Sequence, residues 1–377
     1  MDYVLYNLMF LVCIILAIYI NSLLCRVNFY DHIDFSGRRY FHLDGIRGLA
    51  ALFVVMNHAV FSFANNGFTP DEIDTSNFWI FAHAGDTGVQ IFFSITGFLF
   101  FDKIIKTNNN IDWGGFFQAR VKRLVPMYIM ATTIVAILTL LWSQGQQSPL
   151  TTLRQLINIY GFGFLGSDIW VNGFRTYSLN AVIWTLPYEW RFYCILPVIC
   201  TLIRYKRLFY FSFVLAFLYA LNDLYTGQVV WVYFISGAAA AVVNNTAKLT
   251  LRKKTVAIDV ISSFAVIICL IYLLNCDLSG YGFERFIIIS ILFIFIIWLK
   301  PGILTLRPLV YLGEASYSSY LLHLIVNALV IKSLSSLTDL NKASPLLFWC
   351  VIASLVGITT LLTAYTFKYI EYKFLKK

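Results

Sequence analysis

The hydrophobic positions of this chain form long continuous runs, not the alternation of a half-buried strand or the stripe of a soluble helix. Segments 3–25 and 286–299 are almost wholly apolar, and in a chain with many such runs they are expected to face lipid. A transmembrane β-strand would instead alternate polar and apolar residues over roughly 10 positions. The pattern therefore predicts an all-α polytopic membrane protein.

The runs predict a bundle of about eleven transmembrane helices that form one membrane domain over residues 1–377. The longest predicted outer loop, 143–177, is rich in Gly, Gln and Asn, and loops of that length are usually functional or disordered. The sequence shows no internal repeat, so the single membrane domain is expected to carry the whole activity. The expected spans are 3–25, 46–64, 88–105, 125–142, 178–203, 208–222, 229–243, 256–275, 285–299, 309–331 and 346–367.

Composition supports a membrane protein and argues against a soluble domain. Of the 377 residues, 59% are hydrophobic and 12% are charged, whereas a soluble domain has about 25% charged residues. The net charge of +9 does not predict nucleic-acid binding, because the basic residues sit in short loops between apolar runs. The seven Cys form no CxxC pair and no cluster with His, so neither a disulfide framework nor a metal site is expected.

The distribution of Lys and Arg predicts an orientation. Eleven spans place 21 of the 28 basic residues on one side of the membrane and five on the other. Basic loops stay in the cytoplasm, so the N-terminus is expected outside and the C-terminus in the cytoplasm. The basic side comprises segments 26–45, 101–124, 204–207, 244–255, 300–308 and 368–377.

Two polar residues share one face of the second predicted span. Arg47 and His58, in LDGIRGLAALFVVMNHAVF, are eleven residues apart, just over three helical turns and roughly 16 Å along the axis. Ionisable residues inside a span are costly and mark functional sites. Arg47 at the cytoplasmic edge suits a phosphate, and His58 suits a general base or nucleophile. The alternatives are an interfacial anchor for Arg47 and an interhelical hydrogen bond for His58.

Two later spans carry similar groups. In WTLPYEWRFY, Glu189 lies deep in the span, shares a face with Tyr193, and follows Pro187, which is expected to kink the helix. In SYSSYLLH, Tyr320 and His323 end a polar stripe on one helical face. The alternatives are structural pairing with a charge on another helix and serine-mediated helix packing.

Two further segments complete the candidates. In ARVKRLVPMY, Arg120 and Arg123 are three residues apart and suit a phosphate group, although an ordinary cytoplasmic basic cluster explains most such runs. In GVQIFFSITGFLF, Gly88 and Gly97 predict close helix packing. His83, in the predicted outer loop 65–87, is interpreted as a surface residue.

These segments together resemble the acyltransferase-3 family of integral membrane proteins. LDGIRGLAALFVVMNHA is similar to the opening motif of that family, an arginine followed eleven positions later by a histidine. GVQIFFSITGFLF resembles its second motif, with Gln90 where the family often has an acid and Thr96 where it often has serine. The matches run in order from about residue 42 to 374, and span 3–25 looks like an addition ahead of them. ARVKRLVPMY, WTLPYEWRFY, SYSSYLLH and YIEYKF resemble the later motifs, although Lys373 departs from a common proline.

The resemblance implies an O-acyltransferase, and it is best to short, single-domain bacterial O-antigen and exopolysaccharide O-acetyltransferases. It implies a place in the bacterial inner membrane, acetyl-CoA as the donor, used from the cytoplasm, and a lipid-linked or surface polysaccharide as the acceptor. On this hypothesis Arg47, Arg120 and Arg123 bind the phosphates of coenzyme A. His58 deprotonates the sugar hydroxyl or carries the acetyl group itself. Three further residues orient or stabilise the reacting groups, namely Glu189, Tyr320 and His323.

The sequence is also compatible with functions of another class. Intramembrane Arg, Glu and His would also line the conduit of a transporter or flippase for lipid-linked glycans, although the inverted repeats typical of transporters are not seen. A glycan polymerase would use the long outer loop and need no coenzyme A. The sequence leaves open the sugar, the hydroxyl, the oligomeric state, and the choice between direct transfer and an acetyl-histidine intermediate.

Overall fold

The computed structural model describes residues 2–33, 35, 40–226, 230–246, 255–278, 280–337, 339–342 and 344–375. Part of the predicted basic side lies outside the described residues, namely Arg38, Arg39, Lys248, Arg252, Lys253, Lys254, Lys376 and Lys377. So does position 229, the first of the seventh predicted span.

The described chain is almost entirely helical. Its only strand pair in the described ranges is a short antiparallel ribbon, β1 (Trp170–Val171) with β2 (Phe174–Arg175). Before the ribbon come α1 (Asp2–Arg26), α2 (Phe41–Ala64), a 3-10 turn (Thr75–Phe78), α3 (Trp79–Lys106), α4 (Trp113–Trp142) and α5 (Pro149–Ile159).

The second part of the chain is also built of helices, joined by short turns. They are α6 (Tyr177–Asn180), a 3-10 turn (Ala181–Thr185), α7 (Leu186–Arg204), α8 (Lys206–Thr226), α9 (Tyr233–Thr246), α10 (Val256–Asn275), α11 (Phe283–Leu299), a 3-10 turn (Gly302–Thr305), α12 (Arg307–Glu314), α13 (Ser316–Ser335), a 3-10 turn (Leu340–Lys342), α14 (Pro345–Thr366), a π-helical turn (Phe367–Glu371) and α15 (Tyr372–Leu375).

Seven helical stretches of the described chain are long and apolar enough to cross a membrane, so the protein is a membrane protein. Helices α7, α8, α9 and α11 occupy the other four predicted spans but do not meet both criteria, so the count of eleven spans is not confirmed. The seven are Val4–Arg26, Phe41–Ala64, Thr75–Lys106, Trp113–Trp142, Val256–Asn275, Ser316–Ser335 and Pro345–Leu375.

Several predicted loops are partly helical, among them 65–87, 101–124 and 143–177, the last of which contains α5. Helix α3 begins at Trp79, nine residues before the predicted start of its span at 88, so the prediction that His83 lies in a loop is wrong. The polar residues of 79–87 hide this first part of α3 from a hydropathy pattern, and they are accommodated because they pair inside the protein. Helix α4 likewise begins at Trp113, where the Asp112 side chain accepts a hydrogen bond from the Gly115 amide and caps the helix.

Two predicted spans are interrupted. Span 178–203 contains a short helix and a 3-10 turn before α7 begins at Leu186. Pro187 therefore lies in the first turn of α7, where its missing N–H costs nothing, and the prediction that it kinks a continuous helix is wrong. Span 309–331 breaks at Ala315, between α12 and α13.

Helix α2 lies at the centre of the bundle and packs against α3, α12 and α13. Within its most apolar stretch 67% of α2 is buried, against 22% for each of the peripheral helices α1 and α10. The peripheral helices expose apolar side chains such as Ile15 and Phe264, as helices that face lipid do. Polar residues of α2 therefore face protein.

Glycines let α3 pack closely against its neighbours. A Cβ at Gly97 would lie 2.1 Å from the backbone oxygen of Phe234 in α9, and one at Gly88 would lie 2.6 Å from that of Ala50 in α2. No side chain fits at either position, so the predicted close packing at Gly88 and Gly97 is confirmed. This packing brings α3 against the helix that carries Arg47 and His58.

Candidate functional site: two cavities and a histidine pair

Five of the predicted site residues meet around one cavity of about 310 Å³, called the inner cavity here. It opens beside the first turns of α2 and α13, at the end of the bundle where the prediction places the cytoplasm. The predicted residues on its wall are Arg47, Arg120, Arg123, Glu189 and Tyr320. Other lining residues are Tyr40, Leu43, Asp44, Phe92, Phe93, Thr96, Phe100, Thr185, Tyr193, Glu314 and Tyr317.

The three arginines of the inner cavity lie near acidic groups, and the Glu189 carboxyl is close enough to interact electrostatically with all three. Arg47 forms an ion pair with Asp44, with 2.9 Å between Nη1 and Oδ1. Arg120 packs its guanidinium over the Phe100 ring at 5.3 Å, and its buried Nε has no hydrogen-bond partner among the described residues. A buried donor without a partner is costly, so this N–H is poised for an oxygen of a bound ligand.

The remaining polar groups of the inner cavity are held in place by hydrogen bonds. The Tyr193 hydroxyl donates to Glu189 Oε2 over 2.9 Å, which confirms that these two residues share a face. The Tyr320 hydroxyl donates to the backbone oxygen of Val182, so the Thr185 hydroxyl, 2.6 Å away, must donate to Tyr320. The hydroxyl proton of Tyr320 is therefore engaged, and Tyr320 fixes the turn that forms the wall.

A second cavity of about 850 Å³, called the outer cavity here, opens near the opposite ends of the same helices. Its wall combines aromatic rings with amides and hydroxyls. The lining residues are Asn57, His58, Phe61, Ser62, Asn65, Asn66, Phe68, Ala82, Asp86, Trp142, Phe174, Arg175, Tyr177, Ser178, Ala181, Leu324, Ala328, Ile331, Lys332 and Ser335.

Two cations stand over aromatic rings of the outer cavity. Lys332 Nζ lies 4.8 Å from the centre of the Trp142 ring, and the Arg175 guanidinium lies 5.0 Å from that of Tyr177. Arg175 also donates two hydrogen bonds to Asp168, 2.7 and 2.6 Å long, which hold the pKa of that carboxyl below its ordinary value. Flat rings beside hydroxyl and amide groups suit a polar ligand that has apolar faces.

The order of lining residues along the helices shows that the two cavities occupy opposite ends of the bundle. Helices α2, α4 and α13 contribute earlier residues to the inner cavity and later ones to the outer cavity, whereas α3, which runs the other way, does the reverse. On α13 the last inner residue is Tyr320 and the first outer residue is Leu324. The partition between the cavities is therefore about one helical turn, roughly 5 Å, thick there.

Two imidazoles form part of this partition. His323 is fully buried between Tyr320 and Leu324, and its Nε2 lies 3.1 Å from Nδ1 of His58, which lines the outer cavity. His323 Nδ1 also lies 2.7 Å from the backbone oxygen of Ser319, and His58 Nδ1 lies 3.0 Å from that of Val54. Both rings are thus oriented by the helices that carry them.

These contacts fix the tautomers of two neutral rings. A carbonyl oxygen can only accept, so His323 carries its proton on Nδ1 and leaves Nε2 as an acceptor. His58 Nδ1 faces two acceptors, Val54 O and His323 Nε2, so it carries the proton of its own ring. Among the described residues none hydrogen-bonds to Nε2 of His58, so its lone pair is left free there. That is the form a general base or a nucleophile needs.

The structure thus brings the predicted residues together in two groups. Arg47, Arg120, Arg123, Glu189 and Tyr320 share the inner cavity, whereas His58 lies on the outer side and contacts His323. Arg191 takes no part, because its guanidinium is exposed and stacks on Tyr188 at 5.8 Å.

Sequence reasoning missed several residues of the site. Asp44 lies one turn from Arg47, and this spacing could have revealed the ion pair. Asp86 was hidden because its segment read as a loop. Trp142 and Lys332 lie far apart in the sequence, and no local pattern connects them.

The sequence of this chain matches a known protein family. Residues 40–366 match the family model described as an acyltransferase domain, which covers most of the chain. No solved structure matches this chain.

Individual relatives are similar to this chain at low sequence identity. A protein of Staphylococcus aureus strain COL with the provisional name of O-acetyltransferase is 26% identical over 335 residues, which cover 76% of this chain and 50% of the relative. The O-acetyltransferase OatA of Staphylococcus aureus strain NCTC 8325 is 24% identical over 319 residues, which cover 74% of this chain and 49% of OatA. The chain thus spans about half the length of these curated relatives. On the strength of the match over residues 40–366, the chain belongs to this family of membrane acyltransferases.

Proposed function

We propose that the protein is an O-acetyltransferase of the bacterial inner membrane that moves an acetyl group from cytoplasmic acetyl-CoA to a hydroxyl of a cell-surface polysaccharide. The observation that carries the proposal is the His58–His323 pair in a thin partition between two cavities of different chemistry. Acetyl transfer across a membrane needs one site for a phosphorylated donor, another for a sugar, and a base where they meet.

The inner cavity suits the donor. Its arginines are the residues that bind phosphate best, and the Nε of Arg120, which no described residue accepts from, supplies a buried donor for an anionic oxygen. A cavity of about 310 Å³ is at the small end for a ligand site. It fits the narrow arm of acetyl-CoA, whose phosphates would lie at Arg47 and Arg123 near the mouth. The arm would then direct the thioester toward the partition.

The outer cavity suits the acceptor. Sugars present apolar ring faces and polar edges, which match the Trp142 and Tyr177 rings and the amides of Asn57 and Asn66. Relatives named as O-acetyltransferases support the acetyl group as cargo. We infer a lipid-linked or surface polysaccharide as acceptor, and O-antigen is the first acceptor to test.

His58 Nε2 would supply the chemistry by one of two routes. In direct transfer it takes the proton of the sugar hydroxyl while the hydroxyl oxygen attacks the thioester carbonyl, the C–S bond breaks, and the thiolate leaves and takes up a proton. In the two-step route Nε2 itself attacks the carbonyl and the C–S bond breaks, which gives an acetyl-imidazolium and a thiolate. The hydroxyl oxygen then attacks the acetyl carbon, the C–N bond to Nε2 breaks, and the thiolate takes up the hydroxyl proton. In both routes His58 gains positive charge, which His323 Nε2 would stabilise by accepting from His58 Nδ1.

The arrangement favours transfer over the transporter and polymerase alternatives. An open channel for a glycan would need one continuous path, whereas the partition separates the cavities with a buried imidazole. A transporter with alternating access would typically show inverted repeats, and the sequence shows none. A polymerase would have no use for three arginines around a cavity on the side where nucleotide-bearing donors occur. Continuity of the outer cavity with the ribbon of Phe174 and Arg175 agrees with an acceptor that arrives from outside.

The test is acetyl transfer in proteoliposomes with radiolabelled acetyl-CoA on one side and an O-antigen glycan on the other. Wild-type protein should label the glycan, and His58→Ala should lower the rate about 10²- to 10⁴-fold, the usual loss for a general acid–base group. His83→Ala is the matched control, because His83 lies on α3 outside both cavities. Label that appears equally with His58→Ala, or wild-type protein that moves glycan without acetyl-CoA, would exclude the proposal.

A further inference from the structure

The outer cavity contains one carboxylate that the chemistry above does not use. Asp86 lies on α3 and lines the same cavity as His58. The preceding residue, Gly85, packs against Asn57, the residue before His58, because a Cβ at Gly85 would lie 2.7 Å from Asn57 Cγ. Asp86 and His58 therefore stand at the same level on two helices that face each other.

The turn that leads into α11 packs against the Asp86 carboxylate. A Cβ at Gly280 would lie 2.6 Å from Asp86 Oδ2, so only glycine leaves room for the carboxylate there. Tyr281 and Arg285 lie close enough to interact with its charge. The backbone oxygen of Gly280 in turn accepts a hydrogen bond of 2.5 Å from Gln90 Nε2, one turn further along α3. These contacts fix where the carboxylate points.

The buried positive charge of Arg285 accounts for the presence of a carboxylate at position 86. It is fully buried, and it donates to Gln90 Oε1 (3.2 Å), Thr87 Oγ1 (2.6 Å) and the backbone oxygen of His83 (2.8 Å). All three acceptors are neutral, and a buried cation needs a nearby negative charge. Asp86 supplies it, since the two groups interact electrostatically. Gln90, where the resemblance leads one to expect an acid, pairs with Arg285 as a neutral group, and the acid stands one turn earlier on the helix at the cavity wall.

We propose that Asp86 binds the acceptor and selects sugars that have a second hydroxyl beside the reacting one. The carboxylate accepts a hydrogen bond from that second hydroxyl while the first lies at His58 Nε2. Arg285 is a positioning residue, because it acts only by stabilising and orienting Asp86. A carboxylate is the strongest hydrogen-bond acceptor that a protein can present to a hydroxyl group. This inference rests on the proposed acetyl transfer and adds the acceptor chemistry that the site requires.

The experiment compares wild-type protein, Asp86→Asn and Asp71→Asn in the full chain. Asp71 is an exposed acid in the segment between α2 and α3 and serves as the matched control. The probes are methyl glycosides of common hexoses together with their monodeoxy derivatives, and kinetics are measured on the best acceptor. Asp86→Asn should raise KM for the acceptor about 10- to 150-fold, the range for a hydrogen bond to a charged group. KM for acetyl-CoA should not change, and Asp71→Asn should match wild type.

A second measurement separates a binding role from a structural one. Wild-type protein should prefer the full acceptor over the derivative that lacks the second hydroxyl, and Asp86→Asn should lose most of that preference. Gly280→Ala, which pushes the carboxylate from its place, should lower the preference in the same direction. An unchanged acceptor KM with Asp86→Asn, or an undiminished preference, would overturn this inference alone. Wild-type protein that acetylates none of the glycosides and no O-antigen would overturn both the inference and the proposed function.

Discussion

Nδ1 of His58 lies 3.1 Å from Nε2 of His323, although the two residues are 265 positions apart in the chain. Each ring also contacts the backbone oxygen four residues before it in its own helix, Val54 O and Ser319 O respectively. The result is a directed chain of hydrogen bonds that ends at the free lone pair of His58 Nε2. Two histidines thus give the arrangement that a base and its orienting partner need.

The first prediction concerns His323 as the orienting partner. His323→Ala removes the acceptor that His58 Nδ1–H meets when His58 gains charge, and such a hydrogen bond is worth about 1.5–3 kcal/mol. We expect kcat to fall about 10- to 150-fold while KM for both substrates stays within about twofold. His323→Gln keeps a side-chain acceptor and should recover part of the loss. Steady-state kinetics on purified protein test this prediction. Equal kcat in His323→Ala and wild type would contradict the role of His323 as the orienting partner of His58.

Sequence patterns predicted the parts of the site that lie within one helix. The eleven-residue spacing of Arg47 and His58 placed them on one face, and the two do line cavities along the same helix. The pairing of Glu189 with Tyr193 followed in the same way from a spacing of four. Helical geometry repeats reliably, so local spacing suffices for such pairs.

Contacts between distant helices could not be predicted. Nothing local connects His58 with His323, or Gln90 with Arg285, because these pairs depend on how helices pack. The fold was incompletely predicted for a related reason. Hydropathy measures apolar runs, whereas the first turns of α3 contain His83 and Asp86, which become tolerable only through buried partners.

A second prediction tests the packing that supports the site. Gly97→Ala places a Cβ 2.1 Å from the Phe234 backbone oxygen, which cannot move without shifting α9. Overpacking of this kind costs about 1–3 kcal/mol, so the thermal unfolding midpoint in detergent should fall. Gly357→Ala is the matched control, because its Cβ would meet only side-chain atoms at 3.5 and 3.6 Å. There the better helix propensity of alanine should leave stability unchanged or slightly raised, and a fall of equal size in both variants would contradict the packing argument.

A third prediction concerns orientation in the membrane. The distribution of basic residues predicts that the turn between α3 and α4 is cytoplasmic. Asn110→Cys is the suitable probe there, since Asn108 and Asn109 have φ of 49° and 62°, which a cysteine adopts poorly. In intact cells an impermeant thiol reagent should label Asn110→Cys no more than it labels the unsubstituted chain. It should label Glu72→Cys more strongly, because Glu72 is exposed near the opposite end of α3. The reverse pattern would refute the orientation and, with it, the assignment of the inner cavity to the cytoplasmic donor.

The last prediction concerns Arg47 and tests the geometry of the donor site. If Arg47 holds a phosphate of coenzyme A, Arg47→Lys keeps the charge but loses the planar pair of donors that matches a phosphate. KM for acetyl-CoA should rise about 10- to 150-fold, with a smaller change in kcat, because the phosphate lies far from the reacting carbon. Asp44→Asn should shift KM in the same direction but less, since Asp44 holds the Arg47 guanidinium at 2.9 Å and only orients it.

Arg191→Lys is the control for this experiment, because the Arg191 guanidinium is exposed and lies outside both cavities. It should leave both kinetic constants unchanged. An interfacial anchor at position 47 would also tolerate lysine, since the flexible ammonium reaches the membrane surface equally well. Kinetics with varied acetyl-CoA therefore separate the two roles. Unchanged KM for the donor in Arg47→Lys would mean that Arg47 anchors the helix, and the phosphate would then have to lie at Arg120 and Arg123, the other two arginines that line the inner cavity.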